Sequence, residues 1–455
     1  MNAADHTDTP LQQARFVAVA LIAGALTGVF GGVFHLVIDR LIDWPTWLAL
    51  HVGGWRLIGA CAAITMVATV FAAFITRRFA PEASGSGVPQ IEGAIEGLPE
   101  ARWQRVLPVK FFAGVAAIGS GLVLGREGPT IQMGGTAALA MSDIFGVKGV
   151  DRRALLGAGA SAGLACAFNA PMSAVLFTIE ETRKQFPYAF RTYMGVFAAA
   201  ITGTTVTELI AGARPELPLA AGQVALASLP AFALLGAILG GVGVLFNLCL
   251  LRMLDFSAAC EKRAPYAWPA FVGLSVGALL IIAPHTVTGG ERVISEIALF
   301  TPGTTMLLIL AAARFATSVG SYSAGTPGGI FAPILSLATC IGLAFGLLGQ
   351  MVLPTAFSSM GLTPVAFGIV AMAALFSASV RSPAVGVVLV AELTTSYALT
   401  LPMLAACLSA SLVAQWLGGR PIYEQLLERT LAQAGIRQQA APGPAIGLAT
   451  DRDRP

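Results

Sequence analysis

The sequence predicts an all-α, polytopic membrane protein, and three observations carry that prediction. Hydrophobic residues make up 56% of the 455-residue chain and charged residues only 11%, against roughly 25% charged in an ordinary soluble domain. The charges are unevenly spread: no Asp, Glu, Lys or Arg occurs in 16–34, 57–76, 217–251, 264–290, 315–380 or 393–419. A helix needs about 20 apolar residues to cross the bilayer core, so several of these runs suffice for one span and 315–380 must hold more than one. Lastly, 51 glycines and 26 prolines interrupt the apolar runs. Small residues let membrane helices approach closely, and broken helices are tolerated in a bilayer only where the freed backbone is buried in protein or lines a cavity.

Along the chain, residues 1–15 (MNAADHTDTPLQQAR) are polar and lack the basic region and cleavage site of a secretory signal, so a short tail is expected there. The runs 16–34 and 57–76 follow as helices, the second ending at Arg77-Arg78. That pair, like Arg152-Arg153, fits a cytoplasmic helix end. The breaks come next: "SGSGVPQIEG" (84–93), "GREGP" (125–129), "NAP" (169–171), "GTPGGIFAP" (325–333) and "RSP" (381–383). Residues 436–455 read as a second polar tail. The membrane domain is therefore expected over 16–435, with no soluble domain of useful size beside it.

Several function classes fall away at this point. A net charge of +3 is too small to argue for nucleic acid. The six cysteines show no metal or redox spacing, and five of them (Cys61, Cys166, Cys249, Cys340, Cys407) sit in apolar runs as small core residues do. The histidines His6, His35, His51 and His285 form no pair at helical spacing. No metal and no cofactor is expected. "GASAG" (159–163) matches a hydrolase nucleophile pattern centred on Ser161, but that pattern needs a strand-to-helix turn and here lies in an Ala/Gly-rich helical run. Helix packing is the expected role, and an intramembrane serine hydrolase is a remote alternative.

The chain also repeats itself. Shifting the first half by 204 residues lays 109–129 over 313–333, matching Lys110 to Arg314, Phe111 to Phe315, Gly121 to Gly325, Gly125 to Gly329 and Pro129 to Pro333. At an offset of 212, "NAPMSAVLFTIEE" (169–181) lies over "RSPAVGVVLVAEL" (381–393), matching Pro171 to Pro383 and Glu180 to Glu392. Two blocks in the same order predict a duplicated fold, with a first repeat of about 30–212 and a second of about 217–417.

Three of the breaks share a construction: flexible glycines, then a proline in the first turn of a helix. Proline is favoured there because its missing N–H is an orphan position anyway, and a helix start presents free N–H groups and a positive dipole end to an anion. "GSGVP" (85–89), "GREGP" and "GGIFAP" (328–333), brought together at mid-membrane, would bind a small anion, with Ser86 adding a hydroxyl. A helix starting near Pro129 would aim its positive end back at Glu127. The plainer account is that these are packing turns, with Arg126 and Glu127 neutralising one another at a membrane surface; three similar motifs favour the anion site. Glu180 and Glu181 are either a helix end paired with Arg183 or Lys184, or an intramembrane proton relay. Lys110 and Glu92 are either a buried ion pair or two interfacial charges.

With Tyr423 in "GGRPIYEQLL" (418–427), these three motifs resemble the CLC family of chloride channels and chloride/proton antiporters, over about residues 15–435 and closest to the bacterial antiporters. The resemblance implies two inverted-topology repeats of tilted, partly re-entrant helices, assembled as a homodimer with one pathway per subunit. It implies a multi-pass protein of the bacterial inner membrane with both termini cytoplasmic. It also implies a central chloride held by the hydroxyls of Ser86 and Tyr423 and the backbone amides of Ile330 and Phe331. Glu127 would be the external gating glutamate and Glu181 the internal proton-transfer glutamate. Serine in "GSGVP" is similar to the chloride-preferring members, and Glu181 favours antiport. A passive, voltage- or pH-gated chloride channel is the alternative within the family. The partners implied are chloride, protons and the lipid bilayer, and no enzymatic activity is expected.

Overall fold

A computed structural model describes residues 9–181, 189–212, 217, 219 and 221–433. The first half contains α1 (Pro10–Leu41), α2 (Trp44–Ala49), α3 (Trp55–Phe79), α4 (Val88–Ile95), α5 (Trp103–Gly119), α6 (Glu127–Phe145), α7 (Gly149–Phe168), α8 (Pro171–Glu181) and α9 (Phe190–Ala211). The second contains α10 (Leu229–Arg263), α11 (Ala267–Ile282), α12 (Glu291–Phe300), α13 (Thr304–Ser323), α14 (Phe331–Val352), α15 (Pro354–Ser359), α16 (Pro364–Val380), α17 (Pro383–Thr394), α18 (Thr400–Trp416) and α19 (Ile422–Gln433). Among the described residues, seven helices are long and apolar enough to cross a membrane. The chain is an all-α polytopic membrane protein built from two inverted-topology repeats.

The helix ends follow local chemistry. Thr9 caps α1 by accepting the Gln12 N–H, while Gln12 Oε1 accepts the Thr9 N–H at 3.1 Å, a reciprocal capping box. Asn169 ends α7 and Arg381 ends α16, both with positive φ (51° and 71°). They are the first residues of "NAP" and "RSP", so the left-handed turn and the proline that restarts the helix recur 212 residues apart.

Packing repeats as the sequence does. α1 lies on α9, α6 on α7, α7 on α9 and α5 on α6; in the second half α10 lies on α18, α14 on α16, α16 on α18 and α13 on α14. Between the repeats α3 packs on α11, α8 on α17 and α6 on α14, each helix meeting its own counterpart across the pseudo-twofold axis. Glycine stripes permit the closest contacts. A Cβ on Gly24 or Gly28 would overlap the backbone of α9, and one on Gly236 or Gly240 would overlap that of α18, the small-residue contact that joins membrane helices. Gly159 and Gly163 of "GASAG" do the same for α7 against Gly134 and Thr130 of α6. Ser161 is fully buried in mid-helix, so this stretch is packing surface and not a strand-to-helix nucleophile turn.

The core lies on the inner helices. α16 is buried from Ala366 to Val380, α6 from Glu127 to Ala140, and α14 from Phe331 to Cys340. Membrane helices buried on every side face protein instead of lipid, which lets their broken starts lie inside the molecule.

Candidate anion-binding site

The helix starts are assembled from glycines, and buried cations secure those of α4 and α12. Before α4, Gly85 and Gly87 adopt positive φ (67° and 86°), a turn that costs other residues strain. Ser86 Oγ then accepts the Val88 N–H at 3.3 Å, and Lys110 Nζ donates to the carbonyls of Ala83 (2.9 Å) and Gly85 (2.8 Å). Lys110 is fully buried and spends its charge on these carbonyls; it is not ion-paired with Glu92. Its repeat counterpart Arg314 does the equivalent before α12, donating to the carbonyls of His285, Val287, Thr288 and Gly289 and to Ser336 Oγ.

The three starts are tied by backbone pairing between the repeats. Gly85 N–H donates to Thr326 O (3.2 Å) and Gly328 N–H to Gly85 O (3.1 Å). Gly125 N–H donates to Gly329 O (2.9 Å) and Gly329 N–H returns to Gly125 O (2.7 Å). The Ser86 N–H also points at the Tyr322 hydroxyl, 3.4 Å away, a contact nothing in the sequence signalled.

Glu127 sits inside this junction with no solvent exposure. Its Oε1 accepts the Phe331 N–H at 2.7 Å. A Cβ on either Gly125 or Gly329 would collide with its carboxylate, so those two glycines make the seat that the side chain fills. Its other oxygen, Oε2, is buried without a hydrogen-bond partner among the described residues. One charge-assisted hydrogen bond contributes about 1.5–3 kcal/mol, less than the several kcal/mol of withdrawing a carboxylate from water. The ionised side chain is thus held at a donor that does not fully satisfy it.

The carboxylate's donor differs from the expected one, and the plainer alternative does not hold. The helix after "GREGP" begins at Glu127 itself, with Pro129 as its third residue, and the donor that the carboxylate meets belongs to the start of α14 in the other repeat. Nor do Arg126 and Glu127 neutralise one another at a surface. Arg126 Nη1 lies 3.4 Å from Asp39 and its Nε 3.6 Å from Glu291, on a cavity of about 400 Å³ that His35, Asp39, Glu291 and Glu296 also line.

Of the remaining expected site residues, Ser86 and Ile330 are buried at the same junction, Ile330 as the residue preceding α14. Gly128 lies so close to Ser86 that a Cβ would overlap its backbone. Tyr423 is fully buried at the start of α19, its ring centroid 5.9 Å from that of Phe331. Phe331 is further packed edge-on by Phe376 and Phe177, which fixes the backbone carrying its amide. Glu181 is the last residue of α8, and its side chain lies outside the described residues, as do Arg183 and Lys184. Glu180 Oε2 accepts the Val385 N–H at 3.0 Å, while Glu392 accepts those of Met172 (3.0 Å) and Ser173 (2.7 Å). Each of these two repeat-matched glutamates therefore binds the start of the other's helix.

A family model described as "Voltage gated chloride channel" matches residues 68–415. The chain belongs to the CLC family. Its sequence is 42% identical over 431 residues to the H(+)/Cl(−) exchange transporter ClcA of Vibrio parahaemolyticus serotype O3:K6 (strain RIMD 2210633), covering 93% of this chain and 91% of that one. It is 42% identical over 434 residues to the protein of the same name from Vibrio cholerae serotype O1 (strain M66-2), with the same coverage. Among solved structures, a slow cyanobacterial Cl⁻/H⁺ antiporter superposes with a TM-score of 0.88 at 33% identity, over 92% of this chain and 99% of that one. A CLC-type fluoride/proton antiporter shares the fold at 17% identity, with a TM-score of 0.72 over 91% of this chain and 98% of that one. This CLC protein is a multi-pass membrane protein, and its glycine-rich breaks at 85–89, 125–129 and 325–333 are where the two repeats meet.

Proposed function

We propose that this CLC protein is a secondary active transporter that exchanges chloride for protons across a bacterial inner membrane. The observation that carries the reading is the Glu127 carboxylate seated on the Phe331 amide. That amide is one that a chloride at the three helix starts would use, so carboxylate and chloride compete for the same donor. When Glu127 is ionised, its charge is favoured by the helix-start amides and dipole. When it takes up a proton, that attraction is lost, the side chain leaves, and chloride enters. Proton uptake and anion entry are then alternate occupancies of one positive field.

In this scheme Ser86 and Tyr423 supply hydroxyl donors to chloride, and the Ile330 and Phe331 amides supply backbone donors. Glu181 transfers protons on the internal side. Residues 16–435 form one transport unit of two repeats, about 30–212 and 217–417, between polar tails. Two subunits associate, each with its own pathway, and both termini face the cytoplasm. Identity with exchangers over nearly the whole chain supports the reading.

Reconstitution into vesicles tests it. Under an imposed chloride gradient, protons should move uphill against their own gradient. A passive channel would carry chloride with no proton movement attached.

A further inference from the structure

We propose that this CLC protein holds one anionic diacyl phospholipid against α3, its two acyl chains straddling Phe71 and its headgroup at the basic end of that helix. Two apolar grooves flank α3 on the membrane-facing surface. One, of about 360 Å³, runs between α3 and α11 and is lined by Met66, Val67, Val70, Phe74, Tyr266 and Ala270. The other, of about 540 Å³, runs between α3 and α5 and is lined by Ile75, Pro108, Val109, Phe112 and Val115. Phe71 lines both and forms the ridge between them.

Both grooves lead toward one concentration of positive charge. Arg77 and Arg78 end α3, and Lys262 and Arg263 end α10. Arg77 joins these ends, with its guanidinium 5.0 Å from the Tyr266 ring centroid and Nη1 3.0 Å from Glu261. From the other side Arg105 of α5 donates to the Phe79 carbonyl at 3.1 Å. Arg78, Arg105, Lys262 and Arg263 are exposed. The carboxylates beside them are Glu261, engaged by Arg77, and Glu82 on the turn after α3. From Phe71 to Arg78 is seven residues of helix, about 10 Å, a distance an acyl chain spans from its headgroup. Two grooves meeting at one cationic end match two chains on one anionic head, and basic sites between membrane helices recruit such lipids.

Native mass spectrometry of the detergent-solubilised full chain, with dioleoyl phosphatidylglycerol and dioleoyl phosphatidylcholine offered in competition, tests the assignment. The wild type should retain phosphatidylglycerol preferentially, with inorganic phosphate displacing little of it. The variant Arg78→Gln/Lys262→Gln/Arg263→Gln should retain it on the order of a hundredfold less, since each basic side chain near a headgroup contributes about fivefold. Val67→Trp with Val115→Trp, which fills the grooves and leaves the charges, should weaken retention as well. Ion flux in vesicles, which none of these positions serves, reports that each variant is folded. Equal retention of the two lipids by the wild type, undiminished retention by the triple variant, or displacement of the lipid by inorganic phosphate alone would overturn the proposal.

Discussion

Glu127 and Phe331 occupy equivalent positions in the two repeats, 204 residues apart, each as the first residue of its helix, and they are hydrogen-bonded to each other at 2.7 Å. The pseudo-twofold axis thus passes beside this contact, and Gly125 and Gly329 pair across it in the same way. One repeat supplies a carboxylate at that position. The other supplies an amide and an aromatic side chain packed into the core.

The seat that holds the carboxylate should be easy to spoil. Gly329→Ala places a methyl group where the Glu127 carboxylate lies and should expel it from the Phe331 amide. Losing a charge-assisted hydrogen bond of about 1.5–3 kcal/mol should weaken retention of the closed state by roughly tenfold or more. Coupled flux should fall, and chloride flux at high pH, where the gate is ionised, should rise relative to wild type.

The hydroxyls assigned to chloride should be separable from the gate. Ser86→Ala and Tyr423→Phe each remove one donor, and a hydrogen bond to a charged group is worth about 1.5–3 kcal/mol. Isothermal titration calorimetry with chloride should show roughly tenfold weaker binding or more in each. Unchanged affinity in both variants would remove these residues from the site.

The repeat-matched cations should be structural in different degrees. Arg314→Leu leaves four carbonyls and Ser336 without their donor. Buried acceptors left unsatisfied cost about 1–3 kcal/mol each, so a loss of at least about 3 kcal/mol is expected. Lys110→Met strands the Ala83 carbonyl and leaves that of Gly85 with the Gly328 N–H alone, and should cost about 1–3 kcal/mol. Thermal unfolding in detergent should rank Arg314→Leu below Lys110→Met, and both below wild type.

Glu180 and Glu392 should behave as a coupled pair, since each caps the helix that carries the other. Removing a helix cap costs about 0.5–2 kcal/mol. A double-mutant cycle of Glu180→Ala and Glu392→Ala, read by thermal unfolding, should give an interaction energy above about 0.5 kcal/mol. Strict additivity would mean that the two caps hold their helices independently.

Much of this was legible in the sequence because membrane burial leaves so few charges and so many breaks. The offset of 204 matched Lys110 to Arg314 and Gly125 to Gly329, and the structure gives each pair the same local task. What the offset does not encode is which groups touch across the axis. Nothing in "GREGP" says that Glu127 meets the start of the opposite repeat's helix and that Arg126 turns away to Asp39 and Glu291. Tyr322 beside Ser86 was invisible for the same reason, since a lone tyrosine in an apolar helix has no periodic signature. For Lys110 the sequence left open a buried ion pair with Glu92 or an interfacial charge, and it binds carbonyls, a partner that sequence cannot display because every residue carries one.

The central claim is that a proton and a chloride compete at Glu127. Vesicles containing Glu127→Gln, followed with a chloride electrode and a pH electrode in the same cell, test it most directly. Glutamine resembles the protonated acid in shape but does not ionise between pH 4 and pH 9, on the order of the carboxylate's own titration range and above. Chloride flux should continue while proton flux vanishes at every imposed gradient. Proton movement that persists in Glu127→Gln, coupled to chloride as in the wild type, would contradict the account.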